Sequence, residues 1–484
     1  MASDRTQAWT CSACILAAMT FCAATEAPGN VVISTDATQN MSCMRGVCAP
    51  RAADAVLNAS DLENLLGAGN VTVTTTGSGG VQANDVAVGA ALSWPSTAVL
   101  SLVAHRSIAI GAAISVTGVG GMSLTNNDGG RHGTITFGSG GSIAFANLSS
   151  QLAIHGIPFT LVNTVTKLAS GFAQNPSGKF ALAANYDAGG DGTYDDSPVL
   201  TPVSGTFEGL GNTISNIKIV GVGTDKTVGG LFADIQTGAS VKDLILANVN
   251  LTYTERNRFH GIFVGGLLGL NEGHLFGDRI LQGVVHATSA GEVGGLAGVN
   301  DGTIASSSVN ATTSIGNTYV GGIVGDNEGS IITSYATGSV QGDRHLCGGG
   351  LVSFNTGTIT NSYATASISD SQGDRQAVPS AGGFACKNEG SIDDSYSTGS
   401  VVIENDPSVG GFACSSGSSV TNDYWDTTTS GTSSGTCYGN VNGVAALTDQ
   451  QLRSNLPGGF DPTIWAQNPN INGGYPYLIA NPPQ

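Results

Sequence analysis

Apolar and small residues recur in a fixed order along the second half of the chain. The unit reads VGGLLGLNEGHL from Val264, VGGLAGVNDGTI from Val293 and VGGIVGDNEGSI from Val320. It continues as GGGLVSFNTGTI from Gly348, AGGFACKNEGSI from Ala381 and VGGFACSSGSSV from Val409, with a fainter first copy from Val228. The second glycine of each pair falls at Gly230, Gly266, Gly295, Gly322, Gly350, Gly383 and Gly411, at intervals of 36, 29, 27, 28, 33 and 28 residues. After the glycines comes an apolar residue (Leu267, Leu296, Ile323, Leu351, Phe384), then a small one two positions on (Gly269, Gly298, Gly325, Ser353, Cys386). A period of two assigns both to one face of a strand. An Asn-x-Gly follows at Asn271, Asn300, Asn327, Asn355 and Asn388, and reads as a tight turn with left-handed backbone. A second apolar column stands at Leu275, Ile304, Ile331, Ile359, Ile392 and Val420, and a tyrosine column at Tyr335, Tyr363, Tyr396 and Tyr424.

Units of this length cannot bury an apolar face alone and must stack. Short strands, tight turns and no helical period predict an all-β chain, a right-handed parallel β-helix (β-solenoid) with terminal caps. Equal positions of adjacent units would then form ladders. A propeller needs about 40–45 residues per blade, and 71 glycines argue against stacked amphipathic helices.

Five regions follow. Residues 1–24 contain the apolar run TCSACILAAMTFCAA after Arg5 and read as a signal peptide cut after Ala24. Residues 25–56 read as a leader or N-terminal cap. Residues 57–222 alternate apolar and polar positions in short runs such as VTVTT and GTITFGSGGSIAFA, with one helix at Ser60–Leu66 capped by Ser60. Residues 223–425 are the repeat array. Residues 426–484 form a polar loop and a segment, opened by a short helix capped by Thr448, that closes the open end of the core.

Charge narrows the partners. With 17 basic and 35 acidic residues the formal charge is -18, so nucleic acid is excluded as a natural partner. No run after the leader reaches the roughly 18 apolar residues of a membrane span. Of nine cysteines, Cys43 and Cys48 suit a small loop. Cys386 and Cys414 share a column; they read as two buried thiols in preference to a ladder disulfide. Cys347 and Cys437 have no evident partner.

The GGLxGxNxG unit followed by SYATGSV resembles the GLUG motif of bacterial surface proteins. YWDTTTSGTSS from Tyr424 and FDPTIWAQNPNINGGYPYL from Phe460 resemble the closing segment that follows such repeats. LNASDLENLLGAGNVTVTTTGSGG from Leu57 and ALSWPSTAVLSLVAHRSIAIGAAIS from Ala91 resemble the coils of filamentous-haemagglutinin-like exoproteins. The resemblance implies a secreted or cell-surface location in a bacterium. Some GLUG-bearing proteins are zinc peptidases, but this chain has no HExxH.

Candidate chemistry is sparse. Asp187, Asp191, Asp195 and Asp196 in DAGGDGTYDD carry the oxygen ligands that Ca2+ takes, without EF-hand spacing; a solvated acidic loop is preferred. Asp393, Asp394, Asp423 and Asp426 invite a polysaccharide hydrolase or lyase, although turn and packing roles are preferred for them. The tyrosine column is a glycan-binding strip if it faces out, and a packed aromatic ladder if it does not. The resulting expectation is a non-enzymatic, adhesin-like β-solenoid without cofactor, making weak multivalent contact with glycans, matrix or cells. The alternatives are a secreted polysaccharide hydrolase or lyase and a passive structural stalk.

Overall fold

The computed structural model describes residues 29–223, 227–255, 261–342, 346–370, 380–403, 408–417, 419–438 and 441–483. The expected leader at 1–24 lies outside the described residues. The chain is mostly β, with sheets of 16, 20 and 7 strands among the described residues, in which nearly all neighbours run parallel.

The repeats pair unit to unit at equal positions. Leu275 pairs with Ile304, Ile304 with Ile331, Ile331 with Ile359, and Ile359 with Ile392. This column and the one from Leu231 through Phe412 lie inside a single core. The glycine pairs have a steric reason: a Cβ on Gly295, Gly322, Gly350 or Gly383 would overlap the carbonyl oxygen of the equivalent glycine one unit on. Only a residue without a side chain lets the backbones approach this closely.

Asn271, Asn300, Asn327, Asn355 and Asn388 are fully buried. Each Nδ2 donates to the Oδ1 of the next, at 2.5, 2.6, 2.7 and 2.7 Å. The last asparagine donates to Ser416 Oγ at 3.3 Å. The column is an amide ladder that meets the hydrogen-bonding needs of buried polar groups. These asparagines and their glycines do not adopt the left-handed backbone expected of them. Positive φ instead falls one strand later, at Asp243, Gly277, Ser306, Thr333, Asn361, Asp394 and Asn422. Gly302, Gly329, Gly357 and Gly390 are required for close approach to the preceding unit.

The small-residue column does not share a face with the apolar one. Ser353 Oγ donates to Cys347 O and Cys386 Sγ lies 3.6 Å from Ser380 O, so this column points at the strand that precedes it in its own unit. That direction decides the disulfides. Cys347 is the ladder partner of Ser380, and Cys386 therefore bonds to Cys347, with Cα atoms 5.5 Å apart. Cys414 bonds to Cys437. The Cys386 and Cys414 thiols expected to be free are both oxidised, each to a different partner. Cys43–Cys48 forms as expected, across an antiparallel pair.

Two helices differ from expectation. Ala59–Ala68 is capped by Asn58, whose side chain accepts from Ser60 N and Asp61 N, so Ser60 lies inside the helix. A second helix, Val165–Gln174, follows Thr164 as N-cap and buries Val165, Leu168 and Phe172. Phe172 sets its ring edge-on to Phe180 at 4.7 Å, over the end of the repeat core.

The 16-stranded sheet serves two cores. Its strands from Val71–Thr74 to Gln151–Ile154 pair in parallel and bury Leu100, Leu152 and Ile154 in an N-terminal core. A two-residue hairpin turn at His155 (φ 51) and Gly156 (φ 74) then reverses the chain into Ile157–Val162. Both turn residues have positive φ, which suits a tight hairpin. From there the sheet is parallel again, in the opposite strand direction. Leu161, Ala181 and Leu210 still face the N-terminal core, whereas Val162, Phe180 and Phe207 face the repeat core. The buried side of the sheet switches at this crossing.

Candidate functional site

The tyrosine column stacks with ring centroids 4.7 and 5.1 Å apart and planes within 6°. It does not face solvent: Tyr335, Tyr363 and Tyr396 are buried, and Tyr424 is partly so. The cover is the C-terminal segment. After Val444–Leu447 joins the 20-stranded sheet, the chain turns back along the flank, laying Leu452, Phe460, Trp465, Tyr475 and Leu478 over the rings. Tyr396 Oη donates to Pro476 O at 2.6 Å and Tyr424 Oη to Gly458 O at 2.7 Å. Asn481 Nδ2 reaches Ser307 O and Thr333 O. The segment expected to close the end of the core is thus a strap along its side. Thr448 does cap the short helix Asp449–Leu452, with Gln451 completing a capping box.

The acidic loop does not converge on one point. Asp187 accepts from Gly189 N and Asn216 Nδ2, Asp191 from Tyr186 Oη and Tyr194 Oη, and Asp196 from Ser197 N; Asp195 is exposed. No three His, Cys, Asp or Glu side chains among the described residues are arranged to hold a metal ion. Asp393 is half-buried at the end of the strand Ser391–Asp393. Asp394 occupies a left-handed turn and Asp426 is buried, accepting from Thr428 N and Thr429 N. Asp423 ends a buried ladder in which Ser307 N, Ser334 N, Ser362 N and Ser395 N each donate to the next side-chain oxygen. Burial pushes the Asp423 carboxyl well above the usual carboxylate range. In the sequence this ladder is marked by Ser334, Ser362, Ser395 and Asp423, each the residue before a tyrosine of the column.

The residues that form a site lie at the sheet crossing. Beyond it, the face that held the N-terminal core becomes the outer face of the repeat stack. Where the N-terminal core stops, a cleft of about 580 Å³ opens. Asn126, Asn127, Phe137 and His155 of the N-terminal stack form one wall, and Glu208, Lys242, Asp243, His274 and Phe276 the other. Glu208, Lys242 and Phe276 occupy one row on successive strands. Lys242 Nζ stands 3.6 Å from Glu208 Oε1. Asp243, on the left-handed turn after Lys242, is 7% exposed and its carboxyl has no hydrogen-bond partner among the described residues; Glu208 is 6% exposed.

Burial dominates the electrostatics here. It pushes the Glu208 carboxyl up to about 7, against the opposing pull of Lys242 and Lys179. It holds Asp243 well above the carboxylate range, with the nearby Glu208 charge adding to the effect. A carboxyl whose folded value exceeds its unfolded one costs no stability below the unfolded value near 4.5. The cost grows as pH rises to about 7 and is complete above it. Glu208→Gln is therefore expected to match wild type in urea melts at pH 4 and to exceed it by about 2 kcal/mol at pH 8, after allowance for the lost Lys242 contact. Lower stability than wild type at pH 8 would refute this electrostatic account. The chemistry available in the cleft is hydrogen bonding by neutral and charged groups beside apolar side chains.

Against known proteins, the Glug family model, described as the GLUG motif, matches residues 379–402. These span the unit that contains Ala381–Ile392 and Tyr396. No curated protein and no solved structure matches the chain. The chain is a mostly-β protein that carries a GLUG motif and has no described helix long and apolar enough to cross a membrane.

Proposed function

We propose that the chain is an exported, non-enzymatic, adhesin-like right-handed parallel β-helix that makes weak multivalent contact with glycans on matrix or cell surfaces. The observation that carries this reading is a straight row of hydroxyls on the outer face of the 16-stranded sheet. Thr303, Ser330, Thr358 and Ser391 succeed one another in register, half-buried to exposed. Ser330 Oγ and Thr358 Oγ1 are 2.8 Å apart. Identical groups one strand spacing apart, about 4.8 Å, offer a repeating polymer the same contact many times, which turns weak single contacts into useful avidity. Three disulfides among the described residues favour an oxidising compartment, and the GLUG motif fits a surface or secreted protein. The buried tyrosine column plays no part in this contact.

The test is a glycan array probed with monomeric and with tetramerised protein, beside a reducing-end assay on mixed polysaccharides. Binding that strengthens at least a hundredfold on tetramerisation, with no new reducing ends, is expected. Failure of both forms to bind any glycan would leave a passive stalk, and release of reducing ends would make the chain a polysaccharide hydrolase or lyase.

A further inference from the structure

We infer that the cleft at the sheet crossing is a saccharide site that holds one end of a neutral glycan chain whose remainder lies along the hydroxyl row. This rests on the glycan-binding reading above and names where that ligand is gripped. The cleft and the row are continuous: Ser240, His274 and Thr303 line the cleft, and the same ladder position continues as Ser330, Thr358 and Ser391. Its volume of about 580 Å³ lies within the range of small-ligand sites.

The lining suits a sugar ring. Asp243 lines the cleft at 7% exposure, makes no side-chain hydrogen bond among the described residues, and has Lys242 and Arg279 as its nearby cations. A carboxyl without a protein partner at the wall of a cleft can exchange water for a ligand hydroxyl, which both donates and accepts. Lys242 beside Glu208 offsets one negative charge, so the site does not call for a cation. Ile135 and Phe276, both half-buried, supply apolar surface of the kind that packs against the C–H face of a pyranose. Charged nucleic acid is disfavoured by the net charge of -18.

The tyrosine ladder is sealed beneath the strap and offers a ligand no open face. The crossing creates the cleft because the sheet changes its buried side there. One core ends before the covering of the other begins, which leaves polar groups on a surface shaped for burial.

The experiment uses the full mature chain and a set of neutral hexasaccharides: cello-, xylo-, manno- and maltohexaose. Affinity is measured by calorimetry and by saturation-transfer NMR. Asp243→Asn keeps the left-handed turn, since asparagine tolerates that backbone, and removes the carboxyl. Ala305→Trp fills the cleft from an outward, half-buried position without entering either core. A tenfold or greater loss of affinity in Asp243→Asn, and loss of binding in Ala305→Trp with an unchanged thermal melt, is expected. Wild-type binding that persists undiminished in both variants overturns the cleft assignment while leaving the glycan reading in place. Absence of binding by wild type overturns both.

Discussion

Ile331→Asp is expected to destabilise the repeat stack by about 5 kcal/mol. Ile331 is fully buried between Ile304 and Ile359 in the second apolar column. The substitution removes an apolar side chain from a packed core and leaves a carboxylate with no basic partner. Each unit is stabilised by its neighbours, so a fault at one interface weakens both. Ile332 is the control. It is one residue away on the outer face, 36% exposed, and Ile332→Asp should stay within about 0.5 kcal/mol of wild type. Urea unfolding followed by far-UV circular dichroism separates the two. Equal midpoints for the two variants would dismantle the account of an inward column and an outward row.

Trp465→Ala is expected to cost about 3–5 kcal/mol, and the loss should be local. Trp465 is 1% exposed, stacks on Phe460 at 4.5 Å, and packs on Tyr363 and Tyr396. Its Nε1 donates to Asn361 Oδ1 at 3.0 Å. These contacts join the strap to the flank, whereas the amide and isoleucine ladders lie elsewhere in each unit. The variant should therefore be cut by protease within residues 452–483 under conditions that spare wild type, while the urea midpoint of the stack barely moves. A protease-resistant tail in the variant, or collapse of the whole stack, would contradict a separable strap.

Much of the repeat architecture is legible in the sequence. The two apolar columns and the asparagine ladder lie where the interval of the glycine pairs implied. A residue that recurs at one offset meets its own copies when units stack, so its neighbour can be read directly. The same logic misassigned the cysteines. Cys386 and Cys414 share an offset, but their side chains point at the strand before them rather than along the ladder. Thr164, with Val165, Leu168 and Phe172 behind it, carried a readable helix signal that the alternating pattern around it obscured.

The candidate site was not legible in the same way. Glu208, Lys242 and Asp243 belong to no catalytic or ligand motif, and Glu208 precedes the recognisable repeats. They meet in a cleft because a hairpin at His155–Gly156 reverses the strand direction and moves the core to the other side of the sheet. Likewise, only the return of the C-terminal segment decided that the tyrosines are buried rather than displayed.

From sequence alone came what is local and repeated: the stacking period, the inward columns, the amide ladder and the strongly acidic balance. Contacts of that kind follow from side-chain alternation and from identity between units. Tertiary structure decided what happens once: the crossing, the cleft, the strap and two of the three disulfide partners. Each depends on segments that meet without a shared period, and no regularity along the chain records such a meeting.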